Sequence, residues 1–451
     1  MAQTALQARH EYLTKTSVHH LICVLSIPTI ISMMVTNLYN MADTFFVGRI
    51  STQATAAVGV VLPFMNVIQA IGFFCGHGSG DFVSRKLGAG EIDEAEEMAS
   101  TGFSLAFLLG LVILAFGLVN LTRLSAMLGA TDTIIKDTRA YLSIILIGTP
   151  FMTSQLVINN QLRFQGAAFY AMVGLVSGAV LNIFLDPIFI FTFGLGVRGA
   201  ALATILSQVV SFVILSYGTT KGANINLHLR KTRMNAHYLL QIVNGGAPSL
   251  ARNALISFSS ILLNHTAGTI AGDAAIAGMS VVNRVMMFAN SALIGFGQGY
   301  QPVCSYNYGA ELHGRVKEGY KFCTFYGTLF LIALACVCSF LSEDIVRFFR
   351  DDPAVILIGS VALRWQMFTM PFNATIVLSN MMLQSIGKGV RATITASARS
   401  GIFFIPAIVI LSRLYGLTGV ELAQPVADVL AFILSIPLTL SVWREMNDRV
   451  A

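Results

Sequence analysis

The chain has 451 residues, of which 55% are hydrophobic and only 11% are charged, and its mean hydropathy is +0.72. Soluble domains carry about 25% charged residues, so this composition excludes a soluble protein and predicts a polytopic membrane protein. The net charge of +6 does not require a nucleic-acid partner, because basic loops that face anionic lipid account for it.

Apolar segments long enough to cross a bilayer recur along the whole chain. A transmembrane helix needs about 20 mostly apolar residues, and segments of this length alternate here with short polar breaks. The predicted fold is an all-α integral membrane protein with twelve transmembrane helices. The predicted spans are residues 17–43, 53–80, 98–121, 138–162, 166–193, 199–219, 238–268, 274–307, 318–341, 354–385, 391–413 and 417–443. The predicted units are a polar segment 1–16, a lobe 17–219, a loop 220–237, a lobe 238–443 and a tail 444–451.

Basic residues predict the orientation of the chain, because cytoplasmic loops carry an excess of Lys and Arg. Of the 28 Lys and Arg residues, we place 17 on the side of the termini and the even-numbered loops, including Arg449 in the tail, and 9 on the other side. Both termini are therefore predicted to be cytoplasmic.

An internal repeat with an offset of about 220 residues links the two halves. Pro28 in span 1 matches Pro248 in span 7, and Gly196-Val-Arg-Gly199 matches Gly416-Leu-Thr-Gly419. Because each half has six spans, both halves have the same topology and are related by an axis along the membrane normal. The repeat predicts two six-helix lobes with a cavity between them.

Polar residues inside the first half mark a candidate ion site. Tyr39 and Asp43 stand four apart in span 1, Asn182 and Asp186 stand four apart in span 5, and span 6 adds Thr204. Residues four apart share one helix face, and a charge inside the bilayer is costly enough to indicate function. The alternative is that Asp43 marks the membrane interface and that Asp186 borders a helix end.

The second half serves as a control for these acids. The positions that match Asp43, Asp186 and Thr204 are near Leu263, Ile405 and Gln424, none of which is an acid. This asymmetry favours a dedicated ion site in the first lobe. Two buried carboxylates close together favour binding of a proton, and oxygen ligands equally suit a hard cation such as Na⁺; the sequence leaves both open.

Two further charges lie within the second half, Arg284 in span 8 and Asp428 in span 12. We predict that they form a structural pair; the alternative is that Asp428 is a second acid for coupling or for substrate. The six cysteines form no Cys-x-x-Cys motif, so we predict no metal centre and no disulfide.

From Ser17 to Trp443 the chain resembles the MATE (multidrug and toxic compound extrusion) transporters. The resemblance rests on motifs of spans 1, 5 and 6 and of one loop. The motifs of spans 5 and 6 are similar to those of the bacterial MepA-like and DinF-like branches. The complete set of motifs is Asn40-Met-Ala-Asp43-Thr-Phe-Phe-Val-Gly-Arg49, Leu87-Gly-Ala-Gly90, Leu181-Asn-Ile-Phe-Leu-Asp186-Pro-Ile-Phe-Ile190 and Gly194-Leu-Gly-Val-Arg-Gly-Ala-Ala-Leu-Ala-Thr204.

The resemblance implies roles for individual residues. It places Asp43, Asn182, Asp186 and Thr204 in a cation site, surrounds them with a hydrogen-bond network, and bends the first helix at Pro28. The residues implied for the network are Tyr39, Tyr141 and Asn159. The chain departs from members that use acids in spans 7 or 10, because those predicted spans contain none.

The resemblance also implies the activity: export of small lipophilic cations by antiport against H⁺ or Na⁺, with no other cofactor and no enzymatic reaction. We expect a monomer in the bacterial cytoplasmic membrane that works by alternating access. One rival is a lipid-linked saccharide or metabolite flippase of the same superfamily, which commonly has more arginines in its central cavity. The other is a membrane-embedded transferase, which needs clustered acids for Mg²⁺; the only local cluster, 91–97, lies in a loop.

Overall fold

A computed structural model describes residues 2–448, and side chains from residue 5 onward. Met1 and residues 449–451, including Arg449 and the end of the predicted tail, lie outside the described residues. Over the described range the secondary structure is helical throughout, without a strand. The predicted all-α class is confirmed.

Within residues 2–448, ten continuous helices are long and apolar enough to cross a membrane, and a pair of helices bent by 56° makes an eleventh span. One of the ten, Ala236–Gly309, has 74 residues and would be about 111 Å long if it were straight, several times the thickness of a bilayer core. Non-helical backbone at Ala271 and Gly272 divides it in two. The twelve predicted spans are therefore confirmed.

The bounds of the spans, in chain order, are as follows. Spans 1 to 6 are Val18–Gly48, Thr52–Gly88, Ile92–Val119, Ile135–Phe164, Ala168–Thr192 and Val197–Thr219. Spans 7 to 12 are 236–270, 273–309, His313–Phe340, Pro353–Thr369 with Phe372–Ser385, Gly389–Tyr415 and Leu417–Asp448. Spans 5 and 11 each contain a stretch of π-helix, Ile188–Thr192 and Ala398–Ile402.

Several helices exceed the predicted spans. The first sixteen residues, predicted only as a polar segment, contain the helix Ala2–Lys15. Short helices Leu121–Met127 and Ser342–Phe349 follow spans 3 and 9. Span 2 runs eight residues past its predicted end to Gly88, and its last turn holds Arg85 and Lys86, cations that favour a helix C-terminus.

The repeat is visible in the backbone and in hydrogen bonds. Gly196, before span 6, has φ 53° and ψ −129°, and Gly416, before span 12, has φ 59° and ψ −129°. The side chain of Asn159 donates to the carbonyl oxygen of Ala171 at 2.9 Å, and that of Asn380 donates to the carbonyl oxygen of Ala392 at 2.6 Å. The two halves therefore fold into equivalent six-helix lobes, here called the N-lobe and the C-lobe.

Both ends of the described chain lie on one side, here called the terminus side; the other is the far side. Arg315 at the start of span 9 donates to the carbonyl oxygen of Thr16 at 2.5 Å, and Lys388 before span 11 binds Glu445 near the end of span 12 at 2.6 Å. Both contacts connect an end of the chain to the start of an odd-numbered span. This agrees with an even number of spans, which places both ends on the same side.

The lobes meet closely on the terminus side, where spans 1 and 2 contact spans 7 and 8. A methyl group added at any of several interface glycines would lie within 3 Å of backbone of the other lobe. Such glycines allow helix backbones to approach each other. The pairs are Gly78 with Ile242, Gly88 with Tyr306, Gly295 with Ile30, Gly299 with Ser26 and Gly309 with Arg85. We call this contact region the seam.

Candidate functional site

A cavity lies inside the N-lobe between spans 1, 2, 4, 5 and 6. Its lining combines apolar side chains with amide and hydroxyl groups, and the described lining residues carry no charge. They are Met33, Thr36, Tyr39, Asn40, Gln69, Phe73, Met152, Gln155, Leu156, Leu175, Gly178, Ala179, Asn182, Thr204, Ser207, Gln208 and Ser211. Such a lining suits an organic molecule with a few polar groups.

The two acids predicted from sequence lie together in the far-side half of the N-lobe. Asp186 is fully buried near the end of span 5, and Asp43 is half-buried near the end of span 1. The two carboxylates are close enough to interact electrostatically. Asn182 lies one turn before Asp186, and its side-chain nitrogen donates to Oδ1 of Asp186 at 3.5 Å. Helices that end on the same side therefore bring together acids 143 residues apart in the sequence.

Three hydroxyl residues complete this group. Tyr39, one turn before Asp43, lies within electrostatic range of both carboxylates. Tyr141, near the start of span 4, is fully buried, hydrogen-bonds with the side chain of Thr204, and donates to the sulfur of Met65 at 3.7 Å. Thr204 also donates to the carbonyl oxygen of Ala200 at 3.0 Å. The four residues proposed for the cation site and two of the three proposed for its network are thus neighbours.

The site contains oxygen atoms that no protein group satisfies. Oδ1 of Asp43, Oδ1 of Asn182 and Oδ2 of Asp186 are buried and have no hydrogen-bond partner among the described residues. An unpaired buried polar oxygen is costly unless a proton or a cation neutralises or binds it. Oxygen ligands of this kind suit a hard cation. The donor set therefore fits a proton or Na⁺.

Asn159 does not join this group. It is on span 4 with Tyr141, but 18 residues later, which is roughly 27 Å along a continuous helix. Its side chain donates instead to the carbonyl oxygen of Ala171 on the terminus side. The expectation that Asn159 belongs to the network around the cation site is wrong, because the site occupies only the far-side half of the lobe.

Pro28 lies within span 1, where the helix leaves the seam. Its neighbour Thr29 donates to the carbonyl oxygen of Gly295 in span 8 at 2.6 Å, and Ser32 donates back to the carbonyl oxygen of Pro28 at 2.8 Å. A proline lacks the N–H that would bond to the preceding turn, so the helix is weakened at this position. Span 1 therefore connects the acid at its far-side end to the seam through a weakened turn.

The predicted pairing of Arg284 with Asp428 is wrong. Asp428 is fully buried and pairs with Arg399 of span 11, whose Nε lies 2.7 Å from Oδ1. Arg284 is exposed and lines a different pocket on the far side, together with Asp273 and Asp352. Spans 11 and 12 are neighbours within the C-lobe, whereas Arg284 points away from them.

A buried polar network crosses the seam, and the sequence did not predict it. Arg163, at the end of span 4, is 2% exposed and donates to Oε1 of Gln301 in span 8 at 2.8 Å. It also donates to Oδ1 of Asn160 at 2.6 Å and to Nε2 of His77 at 3.2 Å. His77 in turn contacts the hydroxyl of Ser249 in span 7 at 3.3 Å. These bonds connect the two lobes at the terminus side.

Asp81 is a second functional candidate that the sequence reasoning missed. It is fully buried in the seam, neither of its carboxylate oxygens has a hydrogen-bond partner among the described residues, and Arg85 and Arg163 lie within electrostatic range. The predicted span 2 stopped at residue 80, one position before it. The spacing of His77, Asp81 and Arg85, four residues apart on one helix face, was the available signal.

Comparison with known proteins gives the family. The MatE family model matches residues 28–188 and 248–410, one match in each lobe and together well over half of the chain. The chain belongs to the MatE family. The two MatE matches coincide with the two repeats, so the resemblance predicted from the motifs of spans 1, 5 and 6 is confirmed.

Similar proteins agree with the MatE assignment over nearly the full length. The multidrug export protein MepA of Staphylococcus aureus (strain NCTC 8325 / PS 47) is 28% identical over 424 residues, which are 93% of each chain. A solved MATE structure in complex with MaL6 is 26% identical, with a TM-score of 0.91 over 97% of this chain and 99% of that one. An outward-facing multidrug resistance MATE family transporter of the MOP superfamily is 26% identical, with a TM-score of 0.90 over 97% and 98%.

Proposed function

We propose that the protein is a secondary active exporter of lipophilic cationic compounds, coupled by antiport to the inward flow of H⁺ or Na⁺. The observation that carries the proposal is the pair of carboxylates, Asp43 and Asp186, beside an N-lobe cavity in a MatE chain. Their unpaired oxygens and that of Asn182 supply a place for the coupling ion. The proposal places the protein in a bacterial cytoplasmic membrane as a monomer.

The cavity supports a substrate of this class. Aromatic and aliphatic side chains such as Phe73, Met152 and Leu156 offer an apolar surface, and methionines adapt to ligands of different shape. The two acids next to the lining favour positive charge. The name of the similar MepA protein, a multidrug export protein, agrees with a broad substrate range.

The seam supports an alternating-access cycle. The lobes are packed together on the terminus side, which the excess of basic residues assigns to the cytoplasm. With that assignment the structure corresponds to an outward-facing state, in which substrate leaves and the coupling ion binds. Opening of the seam would break the bonds of Arg163 and admit substrate from the cytoplasm or inner leaflet.

The coupling step follows from the position of Asp43 on span 1. An ion bound by Asp43 and Asp186 joins the far-side ends of spans 1 and 5, while the other half of span 1 stays attached to span 8 through Thr29. Strain between these two attachments falls on the weakened turn at Pro28. The ion drives the cycle only if it binds one conformation more tightly than the other.

The test is efflux from reconstituted vesicles with an imposed pH or Na⁺ gradient, measured with a panel of lipophilic cationic dyes. Asp43→Asn and Asp186→Asn should each abolish ion-driven efflux, because an amide cannot exchange a proton and binds a cation weakly. Both variants should keep normal expression. The matched control is Asp132→Asn, an exposed acid of the same lobe on the far side, which should transport normally. Wild-type efflux by both site variants would refute the proposed site.

A further inference from the structure

The C-lobe contains a buried carboxylate that is fully occupied by protein groups. Oδ1 of Asp428 accepts hydrogen bonds from Nε of Arg399 at 2.7 Å and from the amide of Gln424 at 2.8 Å. Oδ2 accepts from Thr369 at 3.4 Å, where span 10 bends. Asp428 is fully buried, and its partner Arg399 is partly buried. The carboxylate of Asp428 therefore joins spans 10, 11 and 12, and Arg399 supplies the positive charge that balances it.

The N-lobe positions that correspond to Asp428 and Gln424 in the repeat lie on the N-lobe cavity. Gly196 and Gly416 have the same backbone geometry, so span 6 aligns with span 12 at an offset of 220. Asp428 then corresponds to Gln208, and Gln424 corresponds to Thr204. Both counterparts line the N-lobe cavity.

Two equivalent hydrogen bonds give the N-lobe position that corresponds to Arg399, because they align spans 4 and 5 with spans 10 and 11. The bond from Asn159 to Ala171 corresponds to the bond from Asn380 to Ala392, which gives an offset of 221. Arg399 then corresponds to Gly178, which also lines the N-lobe cavity. The N-lobe thus has a glycine on the cavity lining at the position where the C-lobe has the guanidinium group of Arg399.

Local backbone geometry explains how Arg399 reaches this place. It lies in the π-helix Ala398–Ile402, a wider helical turn that shifts side chains relative to an α-helix and is frequent at functional sites. The next residue of this turn, Ser400, accepts a hydrogen bond from Ser259 of span 7 through its carbonyl oxygen. The backbone around Arg399 is therefore held on a second side.

From these observations we propose that Asp428, Gln424 and Thr369 form a second monovalent-cation site, which Arg399 fills with its own charge. The C-lobe site is thus always occupied by the guanidinium group of Arg399, whereas the N-lobe site binds a cation from solution. This confines ion coupling to the N-lobe, where Asp43 and Asp186 lie beside the cavity. The inference goes beyond the proposed export function, because it concerns ion binding in the other lobe.

The test removes the built-in cation and asks whether a cation from solution replaces it. Arg399→Gln is made in an Asp43→Asn/Asp186→Asn background, so that the N-lobe site does not contribute. The Tm is measured in detergent with NaCl against choline chloride at constant ionic strength, and over a pH series without Na⁺. The two arms distinguish a metal cation from a proton. The other charged group on the same stretch of span 12 is Glu421, which is buried and is kept unchanged.

The expected result is that Arg399→Gln has a lower Tm that rises saturably with Na⁺ or with falling pH. At a cation concentration about 100 times its Kd, the ratio of folded to unfolded protein rises about 100-fold, which corresponds to about 2.7 kcal/mol. Arg399→Lys, which keeps a tethered charge, should be insensitive to ions. Arg399→Gln/Asp428→Asn should be insensitive as well, because it has no carboxylate to neutralise.

Three results would overturn the proposal. The first is an equal ion response of Arg399→Gln and of its Asp428→Asn double variant. The second is an Arg399→Gln protein that stays unfolded at every ion concentration while the double variant folds. The third is loss of folded protein in both, which would make the pair a structural requirement only. None of these results bears on efflux by the unmodified N-lobe site, so the two proposals fail independently.

Discussion

Gly78→Ala should open the seam. A methyl group at Gly78 would lie 2.8 Å from Cα of Ile242 in span 7, and closer still to its carbonyl oxygen. Carbon atoms in contact are about 3.5–4.0 Å apart, so the two helix backbones must separate by about 1 Å. Overpacking of this kind costs about 1–3 kcal/mol. Since every 1.4 kcal/mol is a factor of ten, the closed state should fall about 5- to 150-fold relative to the open one.

The assay is the distance between nitroxide labels on the two lobes, attached at Asp93 and Gly314 in a variant whose six cysteines are replaced. Both positions are exposed near the terminus side. Gly78→Ala should shift the distance distribution toward longer separations and slow efflux. The matched control is Gly59→Ala in the same helix, where an added methyl meets nothing within 4 Å. An unchanged distance distribution in Gly78→Ala would refute the argument that backbone contact closes the seam.

Three further variants test single parts of the proposed cycle. Pro28→Ala restores a helix hydrogen bond, so Tm should rise while efflux slows; unchanged efflux would count against a role for the weakened turn. Tyr141→Phe removes the hydroxyl that bonds Thr204 and should raise the cation concentration for half-maximal efflux by about 2- to 10-fold, without loss of folded protein. Arg163→Met should lower the ratio of closed to open protein at least about tenfold in the label assay, because it removes charged hydrogen bonds across the seam. Arg139→Met, an exposed arginine of the same helix, is its control and should behave as wild type.

The spans and the repeat were predictable because they depend on local composition. Each span is a run of apolar residues of bilayer length, and the common offset of prolines and glycines shows that the halves share one topology. The same reasoning brought Asp43 near Asp186, since both lie toward the far-side ends of their helices. Depth within the membrane follows from sequence position alone, at about 1.5 Å per residue.

The network of the seam was harder to predict because its residues lie at the ends of predicted spans. Arg163 counted as a loop cation, and Asp81 fell just outside span 2, although helix continues to Gly88. A charged residue normally ends a hydrophobic segment. Here the charged residues lie within helices because the other lobe, and not lipid, covers them. Contact between the lobes depends on tertiary structure, which the sequence reasoning did not include.

The sequence by itself determined how many helices cross the membrane, how they repeat and at what depth each charge lies. It did not determine which charges meet. Arg284 and Asp428 each lie eleven residues from the far-side start of their spans, so their depths are compatible with a pair. Tertiary packing placed Arg399 against Asp428 and left Arg284 exposed, because lateral neighbours in a helical bundle are chosen by contacts between spans that are distant in sequence.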